Sequence, residues 1–127
     1  MRGCFNASQL SDGTLRFICL TALLLQPAEL QPATMIIDEP ELGLHPYAIT
    51  LLTEMIHQVS LNRQVIVSTQ SVELLNGFEP QDIIVVDRNH NGSEFRRLDA
   101  DALEFWLKED YALGDLWKMN LIGGRLS

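Results

Sequence analysis

The sequence predicts an α/β fold in which a mostly parallel sheet is flanked by helices and carries a β-hairpin near residues 82–98. Three short apolar runs rich in β-branched residues are separated by segments with helical spacing, an order typical of a parallel α/β sheet. After the third run, an Asn-His-Asn-Gly turn leads into a polar strand, which indicates the hairpin. With 127 residues and 46% apolar composition, the chain can build one core, so we expect a single domain or part of one over residues 1–127.

The elements of the first half follow from local patterns. Residues 1–13 have a polar, glycine-containing loop composition, and the apolar run that starts at Thr14 predicts a largely buried helix. A connector with two prolines precedes the run 34–37, a strand that we expect to be covered on both faces. Pro46 suits a helix start, and apolar residues then recur at helical spacing over 47–60.

The second half continues the alternation of strand and helix and then forms a hairpin. Residues 64–69 predict a second buried strand, and 72–75 predict a short helix that ends at Gly77. A third apolar strand is predicted at 82–87, and an exposed strand at 93–98 completes the hairpin. Two further helices are predicted in the tail, at 99–108 and 113–119.

Charge and hydropathy exclude several classes of function. Nine basic against seventeen acidic side chains give a formal charge of −8, so this segment is not expected to bind nucleic acid by itself. The apolar run 17–25 is shorter than the roughly 20 residues that span a bilayer, and no signal-peptide pattern opens the chain. Cys4 and Cys19 lack metal-type spacing, and Cys19 is expected to act as a small hydrophobe. We therefore expect a cytoplasmic protein in a reducing compartment.

Two adjacent carboxylates, Asp38 and Glu39, end the first apolar strand in the run Thr-Met-Ile-Ile-Asp-Glu-Pro-Glu-Leu-Gly-Leu-His-Pro. This ending suits nucleotide hydrolysis, because one carboxylate can hold Mg²⁺ through its water shell while the next orients the attacking water. A strand that simply leads into a proline-containing turn would show the same residues. The 127 residues contain no Gly-x-x-x-x-Gly-Lys-Ser/Thr loop, so the pattern predicts that the phosphate-binding half lies elsewhere.

Two flanking segments add to this pattern, and each has a simpler interpretation. The run Leu-Ser-Asp-Gly-Thr precedes a helix whose amino terminus could bind an anion, or Ser11 or Asp12 merely caps that helix. The run Ser-Thr-Gln-Ser ends the second strand. There the amide of Gln70 could donate to a terminal phosphate, or Ser71 merely caps a turn.

In this order and spacing, the three segments resemble the carboxyl-terminal half of an ABC-type AAA-family ATPase, from the cytosolic group that includes OLD, RecF and SMC-like proteins. The resemblance covers residues 8–88, as signature loop, Walker B strand, D-loop and switch strand, and the tail 113–124 is similar to the closing segment of that group. It implies a P-loop NTPase fold, ATP and Mg²⁺ as cofactors, and a homo-oligomer. For the intact protein it implies a role in DNA maintenance or in defence against phage.

Position by position, the resemblance makes Asp38 the metal-binding residue and Glu39 the general base or water-orienting residue. Ser11, Asp12 and Gly13 match the signature loop, which contacts the γ-phosphate of an ATP held by the other protomer. Hydrolysis would then require dimerisation.

Two further catalytic candidates come from the same resemblance. Gln70 stands where most ABC proteins have the switch histidine, and His45 lies in the D-loop, although a histidine before a proline also suits helix capping. The signature reads Ser-Asp-Gly-Thr where transporters usually have Ser-Gly-Gly-Gln, and Gln70 cannot exchange a proton as a histidine does. Both differences point away from transporters.

The resemblance also implies that an amino-terminal half carrying Walker A must complete the site. Without it, a strand from the centre of the sheet becomes an edge with bare apolar faces, which favours association. The isolated chain is expected to show no appreciable ATP turnover, because the charge stabilisation of the phosphate loop is absent. The alternative is a non-catalytic dimerisation or regulatory module derived from an ATPase half.

Overall fold

The computed structural model describes residues 12–98 of the chain. The predicted site residue Ser11 and the helices predicted at 99–108 and 113–119 lie outside these residues. The chain divides into two compact units, Met1–Thr69 and Gln70–Ser127. Among residues 12–98, no helix has the length and apolar character needed to cross a membrane.

The first unit alternates helices with parallel strands in the predicted order. Its elements are helix α1 (Asp12–Leu24), a 3-10 turn (Ala28–Leu30), strand β1 (Thr34–Asp38), helix α2 (Pro46–Ser60) and strand β2 (Gln64–Ser68). Strands β1 and β2 pair in parallel, from Thr34 opposite Gln64 to Asp38 opposite Ser68. This parallel pair, connected through a helix, confirms the α/β fold class.

Helix α2 and one face of the strands supply the core of this unit. The predicted helical spacing is confirmed, since four of its apolar residues are buried: Ile49, Leu52, Ile56 and Val59. Side chains alternate across β1, so Met35 and Ile37 are buried on the same face of that strand. Helix α2 contacts β2.

The opposite face of the strands is bare in the part of the chain that the structure describes. Ile36 in the middle of β1 is 78% exposed, and Ile66, its partner on β2, is 48% exposed. The expectation that the first strand is covered on both faces is therefore wrong for this structure. The apolar composition of both faces is typical of a strand inside a larger sheet with helices on both sides, and here one of those layers is missing among the described residues.

Helix α1 is less buried than its composition predicts. Gly13 and Leu24 are its buried residues, whereas Ile18 is half exposed and Cys19 is exposed. The apolar residues lie all around the helix rather than on one stripe, so the contact with α2 covers only part of them. Cys19 is thus not a core residue, which corrects the expectation for this thiol.

The second unit carries the predicted hairpin. Its elements are helix α3 (Val72–Leu75), a 3-10 turn (Pro80–Asp82), strand β3 (Ile84–Asn89) and strand β4 (Gly92–Arg97). The two strands pair antiparallel, from Ile84 opposite Arg97 to Asn89 opposite Gly92. Strand β3 starts later than predicted because the 3-10 turn occupies the first predicted position. The sequence order had suggested that this strand continues the parallel sheet. Within residues 12–98 it pairs with β4 instead.

Candidate functional site

The two predicted acidic residues lie at the carboxyl end of β1. Asp38 is the last residue of the strand and is exposed, and Ser68, the last residue of β2, is its partner in the parallel register. The Ser68 hydroxyl donates a hydrogen bond to Asp38 Oδ1. In open α/β sheets, ligands bind at the carboxyl ends of the strands, so Asp38 lies at the edge where such sheets bind their ligands.

Glu39 follows directly and has an unusual backbone conformation. Its φ of 45° is positive, which is uncommon for a residue with a side chain, and it is the one such non-glycine residue in the described part of the chain. Its amide donates to the Ser68 carbonyl oxygen at 2.8 Å. Its carbonyl oxygen accepts from Arg16 Nη1 of helix α1 at 3.0 Å. Both peptide groups of Glu39 are therefore held by neighbouring elements.

The turn that follows contains a buried carboxylate. Glu41 is only 8% exposed, and its Oε1 accepts a hydrogen bond from the Thr69 hydroxyl at 2.6 Å. Its second oxygen, Oε2, is buried and has no hydrogen-bond partner among the described residues. Consecutive residues at the end of β2, Ser68 and Thr69, thus hold two of the three acids in this segment.

The predicted signature residues lie next to the same turn. A β-carbon on Gly13 would overlap the carbonyl oxygen of Gly43 and would lie 2.7 Å from its carbonyl carbon, so the two backbones are in direct contact. Gly43 has a φ of +76°, a conformation that glycine adopts without steric cost. Asp12 is exposed in the first turn of α1. The signature and D-loop predictions therefore concern segments that touch each other within one unit.

His45 caps helix α2 in the structure. Its Nδ1 accepts a hydrogen bond from the Tyr47 amide at 3.2 Å, and Pro46 occupies the first helical turn. This is the capping role that the sequence left open. A catalytic role for His45 stays a prediction.

Gln70 belongs to the second unit and is exposed, directly before Ser71. Ser71 caps helix α3 by accepting from the Leu74 amide at 3.2 Å, as the simpler interpretation of the Ser-Thr-Gln-Ser run predicted. The cap fixes the point at which the chain leaves β2 and starts a helix. The role of Gln70 stays a prediction.

The charge arrangement suits a bound cation. Within residues 12–98 the ion pair joins Arg96 and Asp87 at 3.8 Å in the second unit, and no ion pair holds Asp38, Glu39 or Glu41. The described residues contain no group of three side chains that could hold a metal ion alone. Mg²⁺ bound with a nucleotide takes one or two carboxylates, with the remaining ligands from phosphates and water. The Asp38 carboxylate with its adjacent Ser68 hydroxyl fits that oxygen chemistry.

Three contributors were not singled out from the sequence. These are Arg16, which binds Glu39, and the pair Glu41 and Thr69, whose members lie 28 positions apart. No sequence motif links either pair. The hydrogen bond from Arg16 to Glu39 joins residues 23 positions apart, which only the packing of α1 beside the turn reveals. For Glu41 and Thr69, the one signal was their position next to the predicted acids and the predicted switch strand.

Comparisons with known proteins bear on the family and the fold of this chain. Residues 1–76 match the protein family described as “AAA domain, putative AbiEii toxin, Type IV TA system”. Eight chains of solved structures match, including one from work on the “Structural biochemistry of ATP-driven dimerization and DNA stimulated activation of SMC ATPases”. That match has 17% identity and a TM-score of 0.63, and it covers 81% of this chain and 63% of the other. It shows a shared fold, and this chain spans less than two thirds of the length of the SMC ATPase chain. No curated protein matches the sequence.

Proposed function

This chain belongs to the AAA domain family, and we propose that it supplies the Walker B and signature half of an ATP-hydrolysing site. The observation that carries the proposal is the exposed Asp38 at the carboxyl end of a parallel strand, followed at once by Glu39. Carboxylates are costly to place together at the end of a strand unless a cation or a hydrogen-bond donor meets them. Here a hydroxyl donor meets one of them and no ion pair among residues 12–98 neutralises either.

In the proposed reaction, Asp38 and Ser68 would hold the water shell of Mg²⁺, and Glu39 would orient the water that attacks the terminal phosphate. Mg²⁺, when bound with ATP, neutralises charge on the phosphate oxygens. The hydrogen bonds on both peptide groups of Glu39 limit how far its backbone can move, which favours a fixed approach for the water. Asp12 and Gly13, with Ser11 before them, would contact the nucleotide of a second copy, and Gln70 would donate to the terminal phosphate.

The bare face of the strands supports a partner half that carries the phosphate loop. Side chains alternate along a strand, so Ile36 and Asp38 lie on the same face of β1, and Ile66 and Ser68 lie on the same face of β2. A segment that covers the two isoleucines would therefore extend to the two polar residues at the strand ends. The missing phosphate loop and the bare apolar face thus call for the same partner.

For the intact protein we propose a role in DNA maintenance or in defence against phage or plasmids. The matching family description names a toxin of a type IV toxin–antitoxin system, and the SMC ATPases of the similar structure are described as dimerising with ATP and as stimulated by DNA. This chain has a net charge of −8, which repels the phosphate backbone of DNA, so we expect another part of the intact protein to make any DNA contact.

The decisive experiment combines the chain with a phosphate-loop half from the same AAA family and replaces Glu39 by glutamine. We expect ATP turnover to fall by at least about 100-fold while Mg·ATP-dependent dimers accumulate, because binding survives and the water is no longer oriented. Glu54→Gln is the matched control, since Glu54 is exposed on α2 and the same charge is removed. Unchanged turnover in Glu39→Gln would remove the catalytic assignment. Dimers that form without nucleotide would favour the non-catalytic module.

A further inference from the structure

Glu39 has a backbone conformation that its own side chain does not favour. A φ of 45° places it in the left-handed region, where a β-carbon crowds the following carbonyl group. Such a conformation persists only when surrounding contacts hold it, and it is found often at functional sites. The contacts that hold the Glu39 backbone therefore determine the direction in which its side chain leaves the chain.

Three hydrogen bonds hold this residue: one from its own turn, in which the Leu42 amide donates to the Glu39 carbonyl oxygen at 3.3 Å, and two that involve other elements. The Glu39 amide donates to the Ser68 carbonyl oxygen at 2.8 Å, which extends the parallel pairing by one residue. The Glu39 carbonyl oxygen accepts from Arg16 Nη1 at 3.0 Å. The following residue is Pro40, which is buried and has no amide hydrogen to donate. Arg16 is thus the described side chain that holds the second peptide group, beside the longer hydrogen bond from the Leu42 amide.

Helix α1 reaches the turn at a second point. Gly13, one helical turn before Arg16, has its backbone against that of Gly43. Contacts at both Glu39 and Gly43 mean that a shift of α1 along this surface would disturb the hydrogen bond from Arg16. The placement of α1 and the conformation of Glu39 are therefore mechanically linked.

We propose that Arg16 is a positioning residue, which keeps Glu39 in its left-handed conformation and makes the orientation of its carboxylate depend on the placement of helix α1. The proposal rests on the proposed function in so far as Glu39 orients the attacking water and the amino terminus of α1 meets the partner's nucleotide. Binding at that terminus would then set the geometry of the water-orienting residue in the same protomer. Arg16 itself touches no reacting group.

The first test measures amide hydrogen exchange in the full chain by NMR. In Arg16→Met, exchange of the Glu39 amide should accelerate by about 10-fold or more relative to the Ile56 amide within α2, because the loosened peptide opens locally. Arg16→Lys should restore most of the protection, since its ammonium can donate to the same oxygen. Arg63→Met is the matched control, because Arg63 donates to the Ala28 carbonyl oxygen at 2.9 Å in the same unit. It should leave Glu39 unchanged.

The variant Glu39→Gly distinguishes two explanations: that Arg16 supports the left-handed conformation of residue 39, and that it only packs against the turn. Glycine adopts positive φ readily, so in Glu39→Gly the added change Arg16→Met should alter exchange at position 39 much less than it does with glutamate present. Equal acceleration in both backgrounds, or less than a twofold effect of Arg16→Met with glutamate present, would overturn the proposal.

The second test uses the chain completed with a phosphate-loop half. Arg16→Met should lower kcat by about 10-fold or more with an unchanged KM for ATP, and Arg16→Lys should recover part of the loss, because a misplaced water-orienting group slows chemistry more than binding. A raised KM with normal kcat would overturn the positioning role. If the completed wild-type protein does not hydrolyse ATP, the proposed function fails, whereas the exchange measurements still decide whether Arg16 holds Glu39.

Discussion

Replacing Gly13 by alanine should destabilise the first unit, although alanine is the better helix former. In a helix interior, alanine is favoured over glycine by about 1 kcal/mol. Against this, the new β-carbon would overlap the Gly43 carbonyl oxygen and lie 2.7 Å from the carbonyl carbon and 3.1 Å from the Cα atom. These obstacles are backbone atoms that no rotamer change can move, so α1 or the turn must shift. Overpacking of this kind costs about 1 to 3 kcal/mol. After the helix-propensity gain is deducted, the net loss reaches about 2 kcal/mol at most.

Urea unfolding followed by far-ultraviolet circular dichroism measures this loss. With a denaturant slope typical of a small domain, a loss of 2 kcal/mol lowers the midpoint by about 1 to 2 M urea. Cys19→Ala is the control, since Cys19 is exposed on the same helix and its replacement adds helix propensity without a clash.

The control should leave the unfolding free energy within about 0.5 kcal/mol of the wild type. If Gly13→Ala behaved like the control, or raised stability by the helix-propensity difference, the two backbones would not be in contact. The segments around Gly13 and Gly43 would then not be coupled in the way that the glycine pair indicates.

Two further predictions contrast neighbouring residues at the end of β2. Ser68→Ala removes the donor to the exposed Asp38, so it should cost less than about 1 kcal/mol in urea unfolding, yet calorimetric titration of the completed protein should show weaker Mg²⁺-dependent ATP binding. Equal ATP affinity in Ser68→Ala and the wild type would show that Ser68 does not contribute to metal binding. Thr69→Val removes the donor to the buried Glu41 at nearly constant volume and should cost about 2 kcal/mol, because a buried carboxylate loses its hydrogen bond. Thr69→Ser should keep most of that stability, and an equal loss in both variants would refute the hydrogen-bond explanation.

Local chemistry made several elements predictable from the sequence. Pro46 fixed the start of α2, the Asn-His-Asn-Gly turn fixed the hairpin, and Ser71 capped α3, because each of these residue types has a strong conformational preference over a few positions. The same locality placed Asp38 and Glu39 at the end of the first strand. These features need no knowledge of what packs against them.

The contacts around the acids could not be predicted, since they depend on packing between distant segments. The residues joined by the Arg16 hydrogen bond are 23 positions apart, and those joined by the Thr69 hydrogen bond are 28 positions apart. Neither pair has a spacing rule such as the one that links residues on a helix face. The positive φ of Glu39 was also hidden, because glycine and asparagine, not glutamate, are the usual signals of that conformation.

The exposed apolar face of β1 and β2 is itself informative about function. Apolar residues on both faces of β1 and β2 predicted cover on both sides, and Ile36 is nevertheless 78% exposed. Leaving such side chains in water costs roughly 1.5 to 3 kcal/mol each compared with burying them. A composition suited to burial is therefore best explained by a further layer that covers Ile36 and Ile66 in the working protein.

Because Asp38 and Ser68 share that face, the layer that covers the exposed apolar surface would also enclose the acid proposed to hold Mg²⁺. Folding and the proposed catalysis would then depend on the same association.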